Sequence, residues 1–284
     1  NVIITALGLE KKEASLAYSI QKVKGEELTR MKEVNMITAL AGKAAGVQIN
    51  KNSSGIGGSA KVSLRGIRSA SGDNQPLYVI DGVPMLNIGT EQAYSAIGGT
   101  ANAGNRDGGD GISNLNPEDV ESISILKGAP AAALYGSQAA NGVILITTKK
   151  GNTAGQRNIY FSTGLTFDKA FSLPKMQNCY GVSDVVDSWG EKAYLPTSNE
   201  LNDFFRTGLT SITSVSVNYG NEKIQTYFSY ANTTGRGIVD KNQPTKHNIN
   251  LRETAVMFNQ RLKLDGNVTV SYTHLRAHET RSNL

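Results

Sequence analysis

The sequence has one cysteine in 284 residues, Cys179, which excludes an intramolecular disulfide framework and a zinc site built on several cysteines. It also lacks long apolar runs, because stretches such as residues 142–146 are far shorter than the roughly 20 residues of a transmembrane helix. No spanning helix is therefore predicted. A strong net charge is absent too: 29 basic and 24 acidic residues leave +5, spread as +2 over residues 1–150 and +3 over the rest. Nucleic acid is not an expected partner, since phosphate binding needs clustered Lys and Arg.

Signatures of catalysis and of cofactor binding are missing as well. No GxSxG, HExxH or P-loop pattern occurs, and three histidines are too few and too scattered for a triad or a metal site. The glycine-rich residues 55–60 lie between two predicted strands, whereas a phosphate-binding loop precedes a helix. Asp107 and Asp110 lie among glycines but supply fewer oxygens than the six to eight that Ca²⁺ takes. We expect no enzyme activity, no catalytic residue, no metal and no cofactor.

The composition changes near residue 150. All seven Phe, the single Trp and seven of eleven Tyr follow that position, whereas 20 of 30 Gly precede it. The Lys149, Lys150, Gly151 stretch carries a turn signal. These features predict two regions that fold in different environments.

The first region reads as a small α+β domain. Apolar residues recur every three or four positions over residues 26–46 and stop at Gly46, which predicts one amphipathic helix. Short apolar runs predict buried strands at residues 47–49, 62–64, 77–80, 123–126 and 143–147. Residues 84–116 have no usable periodicity and predict a long loop, while residues 116–119 resemble a helix start and residues 129–135 a short helix ending at Gly136.

The second region alternates apolar and polar residues with a period of two. The alternation is strict over residues 262–272, recurs at 159–167, 212–219 and 224–230, and is weaker at 247–257. Strands of about nine to eleven residues with one apolar and one polar face are typical of a membrane barrel. A soluble antiparallel sandwich is the alternative, although its strands are usually nearer five or six residues long.

Four blocks of the first region resemble the plug domain of TonB-dependent outer-membrane transporters, and their sequences are most similar to those of the SusC/RagA subfamily. The longest block is NPEDVESISILKGAPAAALYGSQAANGVILITTKKG at residues 116–151, and the others are LAGKAAGVQI (40–49), KVSLRG (61–66) and QPLYVIDGVP (75–84). The resemblance implies an α+β plug domain, a small mixed sheet with short helices, followed by antiparallel strands of an incomplete transmembrane β-barrel. It divides the chain into a TonB-box-like segment (1–8), the plug (9–150), the first barrel strands with loops (151–272) and a tail expected to be non-native (273–284).

The resemblance also implies a function in the bacterial outer membrane. It predicts TonB-dependent import of a glycan or a peptide, with TonB, ExbB and ExbD supplying energy, a SusD-like lipoprotein as lid, and outer-membrane lipid around the barrel. A soluble periplasmic or secreted carbohydrate-binding module is the alternative, in which aromatic strands present a sugar platform. Trp189 and Tyr194 are the candidate substrate contacts under either reading.

Further site residues follow from the matched motifs. Val2, Ile3, Ile4 and Thr5 match a TonB box, which adds a strand to its partner; the alternative is a first strand of the plug sheet. Arg65 matches the plug arginine that pairs with barrel carboxylates, here on strands outside the chain; the alternative is a solvated side chain. The plug's structural motif contributes Asp81, Gly82, Gly128, Tyr135, Gly136 and Gly142. Asp81 is expected to accept hydrogen bonds in a turn rather than do chemistry.

Both ends of the sequence suggest an excerpt of a longer protein. Asn1 is preceded by neither an initiator Met nor a secretory leader. Residues 273–284 break the strand alternation and resemble read-through sequence, so they are left out of the expected fold.

Overall fold

The computed structural model describes residues 2–4, 10–12, 20–51, 56–69, 74–85, 87, 89–91, 107–173, 179–181, 190–192, 204–240, 242–258 and 261–276. In chain order the elements are β1 (Val2–Ile4), β2 (Glu10–Lys12), β3 (Ile20–Lys24), α1 (Gly25–Thr29), α2 (Met36–Ala39), β4 (Val47–Lys51), β5 (Ala60–Leu64), β6 (Leu77–Ile80), β7 (Val83–Met85), β8 (Gly89–Glu91), β9 (Asp107–Asp110), β10 (Val120–Leu126), α3 (Ala129–Tyr135), β11 (Val143–Thr148), β12 (Asn158–Asp168), β13 (Gly208–Gly220), β14 (Ile224–Arg236), β15 (Gln243–Met257) and β16 (Leu262–Arg276). Within these residues, no helix has the length and apolar character needed to cross a membrane.

A five-stranded mixed sheet organises the N-terminal domain, in the order β3-β10-β11-β6-β7. Strand β10 runs antiparallel to both β3 and β11, and β11 runs parallel to β6. The two central strands, VESISIL and VILITT, are rich in β-branched residues and are buried along most of their length. A small mixed sheet with short helices was predicted, and the structure confirms it.

Aliphatic side chains fill the core of this domain. Leu28, Met36, Ile37 and Leu40 from the helical segment pack against Ile123, Ile125 and Ile144 of the sheet, and all are fully buried. Each such side chain contributes about 1.5–3 kcal/mol relative to an exposed one. Tyr78 is the aromatic residue in this cluster, in line with the absence of Phe and Trp from the first 150 residues.

The prediction of one helix over residues 26–46 is wrong. Two short helices, α1 and α2, replace it, and Met31 between them is exposed. The break occurs because Asn35 begins a new helix: its side chain accepts a hydrogen bond from the Ile37 N–H at 3.0 Å and donates to the Gly58 carbonyl at 3.3 Å. The apolar spacing still identified core residues, since Leu28, Ile37 and Leu40 are buried.

The predicted loop at residues 84–116 is also not wholly irregular. It contains the β8–β9 pair and a 3₁₀ turn at Gly111–Asn114. The expected helix start at residues 116–119 is a single 3₁₀ turn, Pro117–Asp119, capped by the Asn116 side chain at 3.2 Å from the Glu118 N–H. The chain then enters β10. Helix α3 has the predicted bounds and ends at Gly136, whose φ is 74°.

The second region forms one antiparallel sheet of five strands in the order β12-β13-β14-β15-β16. Its strands have 11, 13, 13, 15 and 15 residues, longer than those of a soluble sandwich. The antiparallel barrel strands were predicted and are confirmed. All five strands lie in one sheet, so they do not form the two facing layers of a sandwich. Strand β16 continues to Arg276, four residues beyond its predicted end, and Thr273 pairs with Lys246.

The polarity of this sheet is inverted relative to a soluble protein. One face is buried against the N-terminal domain and carries polar side chains, including Ser229, Thr233, Asn248, Asn250 and Arg252. The other face is exposed and carries large apolar side chains: Ile159, Phe161, Leu165, Phe167, Phe228, Tyr230, Ile249, Leu251, Leu264, Val268, Val270 and Tyr272. Soluble monomers rarely expose a contiguous apolar patch of more than a few hundred Å². This face is therefore suited to hydrocarbon.

Candidate functional site: the interface between domain and sheet

The arginine of β15 joins the two regions through a fork of charged hydrogen bonds. Arg252 is 4% exposed, and its NH1 donates to Asp81 Oδ2 at 2.9 Å and to Thr148 Oγ1 at 2.6 Å, both in the N-terminal domain. Its Nε and NH2 donate to the two carboxylate oxygens of Asp265 on β16, each at 2.9 Å. Bidentate pairing of this kind combines strength with fixed geometry. One cation is thus shared between a carboxylate of the domain and a carboxylate of the sheet.

The turn that carries Asp81 explains how the domain presents this carboxylate. Asp81 and Gly82 have φ of 48° and 89° and join β6 to β7, as a tight two-residue hairpin requires. Asp81 Oδ1 accepts from the Thr148 N–H at 3.0 Å and Oδ2 from the Thr148 hydroxyl at 2.6 Å. The expectation that Asp81 accepts hydrogen bonds thus agrees with the geometry, and Arg252 is an additional donor that the sequence reasoning missed.

Another carboxylate, Asp119, is buried between the domain and β14. It accepts hydrogen bonds from the Tyr227 hydroxyl at 3.0 Å and from the Ser229 hydroxyl. Burial raises the pKa of Asp119, against the hydrogen bonds from Ser229 and Tyr227, which lower it. Burial likewise lowers the pKa of the neighbouring Lys149, while Asp119 acts to raise it. The sequence placed Asp119 only in a helix first turn, and no local signal identified its partners.

The segment just before Asp119 extends the interface across the sheet. Lys246 and Asn248 on β15 donate to the carbonyl oxygens of Ser113 and Asn114, the second at 2.7 Å. At the other side, Lys32 pairs with Glu118 and donates to Ser162 on β12. The domain therefore docks on β12, β14 and β15 through polar groups alone at these points.

The other three glycines of the predicted structural motif have positive φ, as Gly82 does. Gly128, Gly136 and Gly142 have φ of 80°, 74° and 100°. An added Cβ at Gly142 would lie 2.6 Å from Leu64 Cδ1 and 2.9 Å from the Leu126 carbonyl oxygen, so both conformation and space require glycine there. Tyr135 is the last residue of α3 and is half-buried.

Arg65 follows β5 and lies beside Gly128. Its backbone has φ of 62°, its N–H donates to the Gly46 carbonyl at 2.9 Å, and its side chain is exposed. The guanidinium passes over Gly128, where an added Cβ would lie 3.0 Å from NH1. Its pairing with barrel carboxylates stays a prediction.

The N-terminal segment forms a hairpin of its own. Strand β1 pairs with β2 in the register Val2 to Lys12 and Ile3 to Lys11, separate from the five-stranded mixed sheet. The alternative that it is the first strand of that sheet is therefore wrong, while its TonB-box role stays a prediction. Thr5, Trp189 and Tyr194 lie outside the described residues.

The described residues contain no group of three or more His, Cys, Asp or Glu side chains positioned to hold a metal ion. Asp110 caps the 3₁₀ turn instead, accepting from the Ser113 N–H at 3.1 Å. The site consists of polar contacts between two parts of one chain.

The chain is similar to known proteins in sequence and in fold. The family described as TonB-dependent Receptor Plug Domain matches residues 12–143. The TonB-dependent receptor SusC of Bacteroides thetaiotaomicron is 32% identical over 277 residues, which cover 94% of this chain and 25% of the relative. The TonB-dependent receptor P26 of Formosa agariphila is 34% identical over 181 residues, which cover 62% of this chain and 16% of the relative. The chain thus spans about a quarter or less of these relatives.

Solved structures agree on the fold. The RagAB peptide importer in its closed-closed state superposes with a TM-score of 0.74 at 22% identity, covering 94% of this chain and 32% of that chain. The open-open state of the same importer gives a TM-score of 0.74 at 21% identity, covering 97% and 32%.

Proposed function

We propose that this chain, which belongs to the SusC/RagA type of TonB-dependent receptors, takes part in importing a nutrient across the bacterial outer membrane. In this reading the N-terminal domain is the plug and the C-terminal sheet is the first part of the barrel wall. The observation that carries the proposal is the inverted polarity of the sheet, with apolar side chains outside and polar side chains against the plug.

The energetics of a bilayer explain why that polarity supports a wall. Unpaired backbone groups are costly in hydrocarbon, and the strands pair in full register from β12 to β16. The outer edges of β12 and β16 need further strands for the same reason. We infer that the rest of the receptor supplies them and closes a wide barrel around the plug.

The partners are proposed on the same basis. The segment at residues 1–8 would engage TonB, which ExbB and ExbD energise, by adding a strand to a sheet of TonB. A SusD-like lipoprotein would cover the outer opening, and Trp189 and Tyr194 would contact a glycan or a peptide. A similar fold in a peptide importer supports keeping peptides as candidates. No bond in the substrate changes, so the activity is transport and not catalysis.

A disulfide between plug and wall tests the proposal. An added Cβ at Gly164 would lie 3.0 Å from the Cβ of Lys32, shorter than the roughly 3.5–4.5 Å between the Cβ atoms of a disulfide, so a backbone shift of less than about 1 Å would allow the bond. The Lys32→Cys, Gly164→Cys pair would be placed in the full-length receptor, with Cys179→Ser as background and each single cysteine as control. Uptake of fluorescein-labelled oligosaccharides and oligopeptides would be measured in cells that also express the SusD-like partner.

We expect the oxidised pair to lose uptake, a reducing agent to restore it, and Lys32→Cys alone to import normally. Gly164→Cys alone must displace the Lys32 side chain, whose Cγ would lie 2.5 Å from the added Cβ, so the reduced pair is the matched control for the oxidised one. Undiminished uptake by the cross-linked receptor would show that plug movement is not required. A wild-type receptor that takes up neither substrate class would contradict the proposed function itself.

A further inference from the structure

We infer that Arg252 anchors the plug through a contact that can break at low cost. Its guanidinium binds Asp81 on the plug and Asp265 on the wall, so Arg252 still has an acidic partner after the plug has moved away. The inference rests on the proposed function, because it assigns a release step to the plug. It concerns a positioning residue of the wall and goes beyond the family assignment.

The geometry divides the guanidinium into two halves. NH1 points to the plug, where it donates to Asp81 and Thr148, while Nε and NH2 point along the wall to Asp265. A buried cation that loses its partner is strongly unfavourable, usually more so than the loss of the contact itself. Arg252 avoids this cost because the bidentate pair with Asp265 lies wholly within the wall and does not depend on the plug.

Asp81, the carboxylate on the plug, also has hydrogen-bond donors other than Arg252. Asp81 accepts two hydrogen bonds from Thr148, which belongs to the same domain and would move with it. When the Arg252–Asp81 contact breaks, each charged group therefore keeps partners on its own side. Such a contact holds the plug but imposes only a limited barrier to release.

The two carboxylates should consequently have opposite effects. Removing the charge of Asp81 takes away the contact and should loosen the plug. Removing the charge of Asp265 takes away the acidic partner that Arg252 keeps within the wall. Plug release would then leave Arg252 without a carboxylate, so this substitution should slow release. A purely structural role would give the same sign for both, because each substitution removes a hydrogen-bonded ion pair.

Plug release can be measured without TonB or substrate. The purified full-length receptor would be inserted in a planar lipid bilayer, and the rate at which urea opens a conducting path would be recorded. We expect Asp81→Asn to open about tenfold faster than wild type and Asp265→Asn about tenfold slower, since charge-assisted hydrogen bonds contribute on this scale. Asp265→Glu, which keeps the charge, should return towards wild type.

Lys150 needs its own control, because its Nζ lies 4.0 Å from Asp265. Lys150→Gln should leave the opening rate near wild type, which would assign the Asp265 effect to Arg252. Heat-modifiable migration on gels would verify that each barrel has folded. If Asp265→Asn does not fold, the anchor is tested in the Arg252→Gln background, where Asp81→Asn should add no further acceleration.

Opening of Asp265→Asn at or above the wild-type rate would overturn the inference, as would an undiminished Asp81 effect in the Arg252→Gln background. Neither result would bear on import, which is measured separately in cells. If the wild-type receptor imported neither substrate class, the proposed function would be contradicted, but the opening rates measured in the bilayer would remain valid.

Discussion

The plug and the wall bury opposite kinds of side chain. In the plug strand β10 the buried positions include Ile123 and Ile125, whereas in the wall strand β14 the buried positions include Tyr227 and Ser229 and the exposed ones include Phe228. Alternation alone does not state which face is hidden. The plug buries aliphatic side chains in its core because it must exclude water by itself. The wall hides its polar face because that face contacts the polar exterior of the plug.

The interface and the plug core also differ in whether they contain buried charges. Buried charges at the interface, Asp119 and Arg252, have several hydrogen-bond partners each, and the apolar core of the plug contains none of them. Polar contacts can be exchanged for contacts with water when two parts separate, whereas an apolar core cannot open without a large loss of hydrophobic stabilisation. The interface is thus the part of the molecule that is suited to open and close.

The largest effect is expected in the plug core. Replacing Ile125, which is fully buried, by Ala should destabilise the plug by about 2–5 kcal/mol, because the substitution leaves a cavity among packed side chains. Urea-dependent protease sensitivity of the plug in the full receptor would measure it. Val83→Ala is the matched control, since Val83 is 68% exposed and should cost less than about 0.5 kcal/mol. Equal losses at both positions would contradict the assigned core.

A charge on the outer face of the wall should have the next largest effect. Val270→Arg places a guanidinium in hydrocarbon and should reduce barrel stability by about 2–4 kcal/mol. The measurement is the folded fraction in lipid vesicles along a urea series. Ser271→Arg, on the inner face of the same strand and opposite the uncharged Asn248, should fold nearly as well as wild type. If the two variants behaved alike, the assignment of outer and inner faces would be wrong.

Loss of the Asp119 carboxylate should weaken the interface without disturbing either core. Asp119→Ala leaves the buried hydroxyls of Tyr227 and Ser229 without their acceptor, at a cost of about 1–3 kcal/mol. Urea should therefore open the channel at a lower concentration, while the folded barrel keeps its heat-modifiable migration. A barrel that unfolds together with plug release would show that the two parts are not separable in this way.

Asp119 should also contribute a pH dependence. Its folded pKa is raised by burial, so the folded receptor binds this proton more tightly than the unfolded chain, whose Asp pKa is about 3.9. The stability contributed by the group is full below that value and is lost as pH rises through the folded pKa. The difference between wild type and Asp119→Asn in urea stability should shift across this acidic range, and a constant difference would refute it.

The smallest effect is expected for an exposed ion pair of the wall. Arg206 pairs with Asp240, whose side chain is 70% exposed, so Asp240→Ala should cost only about 0.2–1 kcal/mol. The loss should shrink further at high salt, because exposed pairs are screened. Arg206→Ala should cost more, since its Nε and NH2 also donate to the carbonyls of Gly237 and Val239 at 3.0 and 3.2 Å. Barrel stability at two salt concentrations would compare them.

Local pattern predicted the elements better than their contacts. Periodicity identified the five wall strands, short apolar runs identified β4, β5, β6, β10 and β11 of the plug, and Gly136 was identified as the end of α3. The plug strands β3, β7, β8 and β9 were missed, because they are short and have no apolar run of their own. The long helix failed because Asn35 caps a second helix through a side-chain contact with Ile37 that apolar spacing does not reveal. The role of Arg252 was missed although the residue lies on the polar face of β15, because its partners Asp81 and Thr148 are 171 and 104 residues away in the sequence.

The sequence by itself determined the two-part organisation, the plug motifs and the alternation of the wall, because these depend on residues within one strand or turn of each other. The tertiary structure decided which face is hidden, which carboxylates meet Arg252, and how Asp119 is partnered. Those outcomes depend on how strands from distant parts of the chain register against the plug, and no spacing along the chain encodes that register.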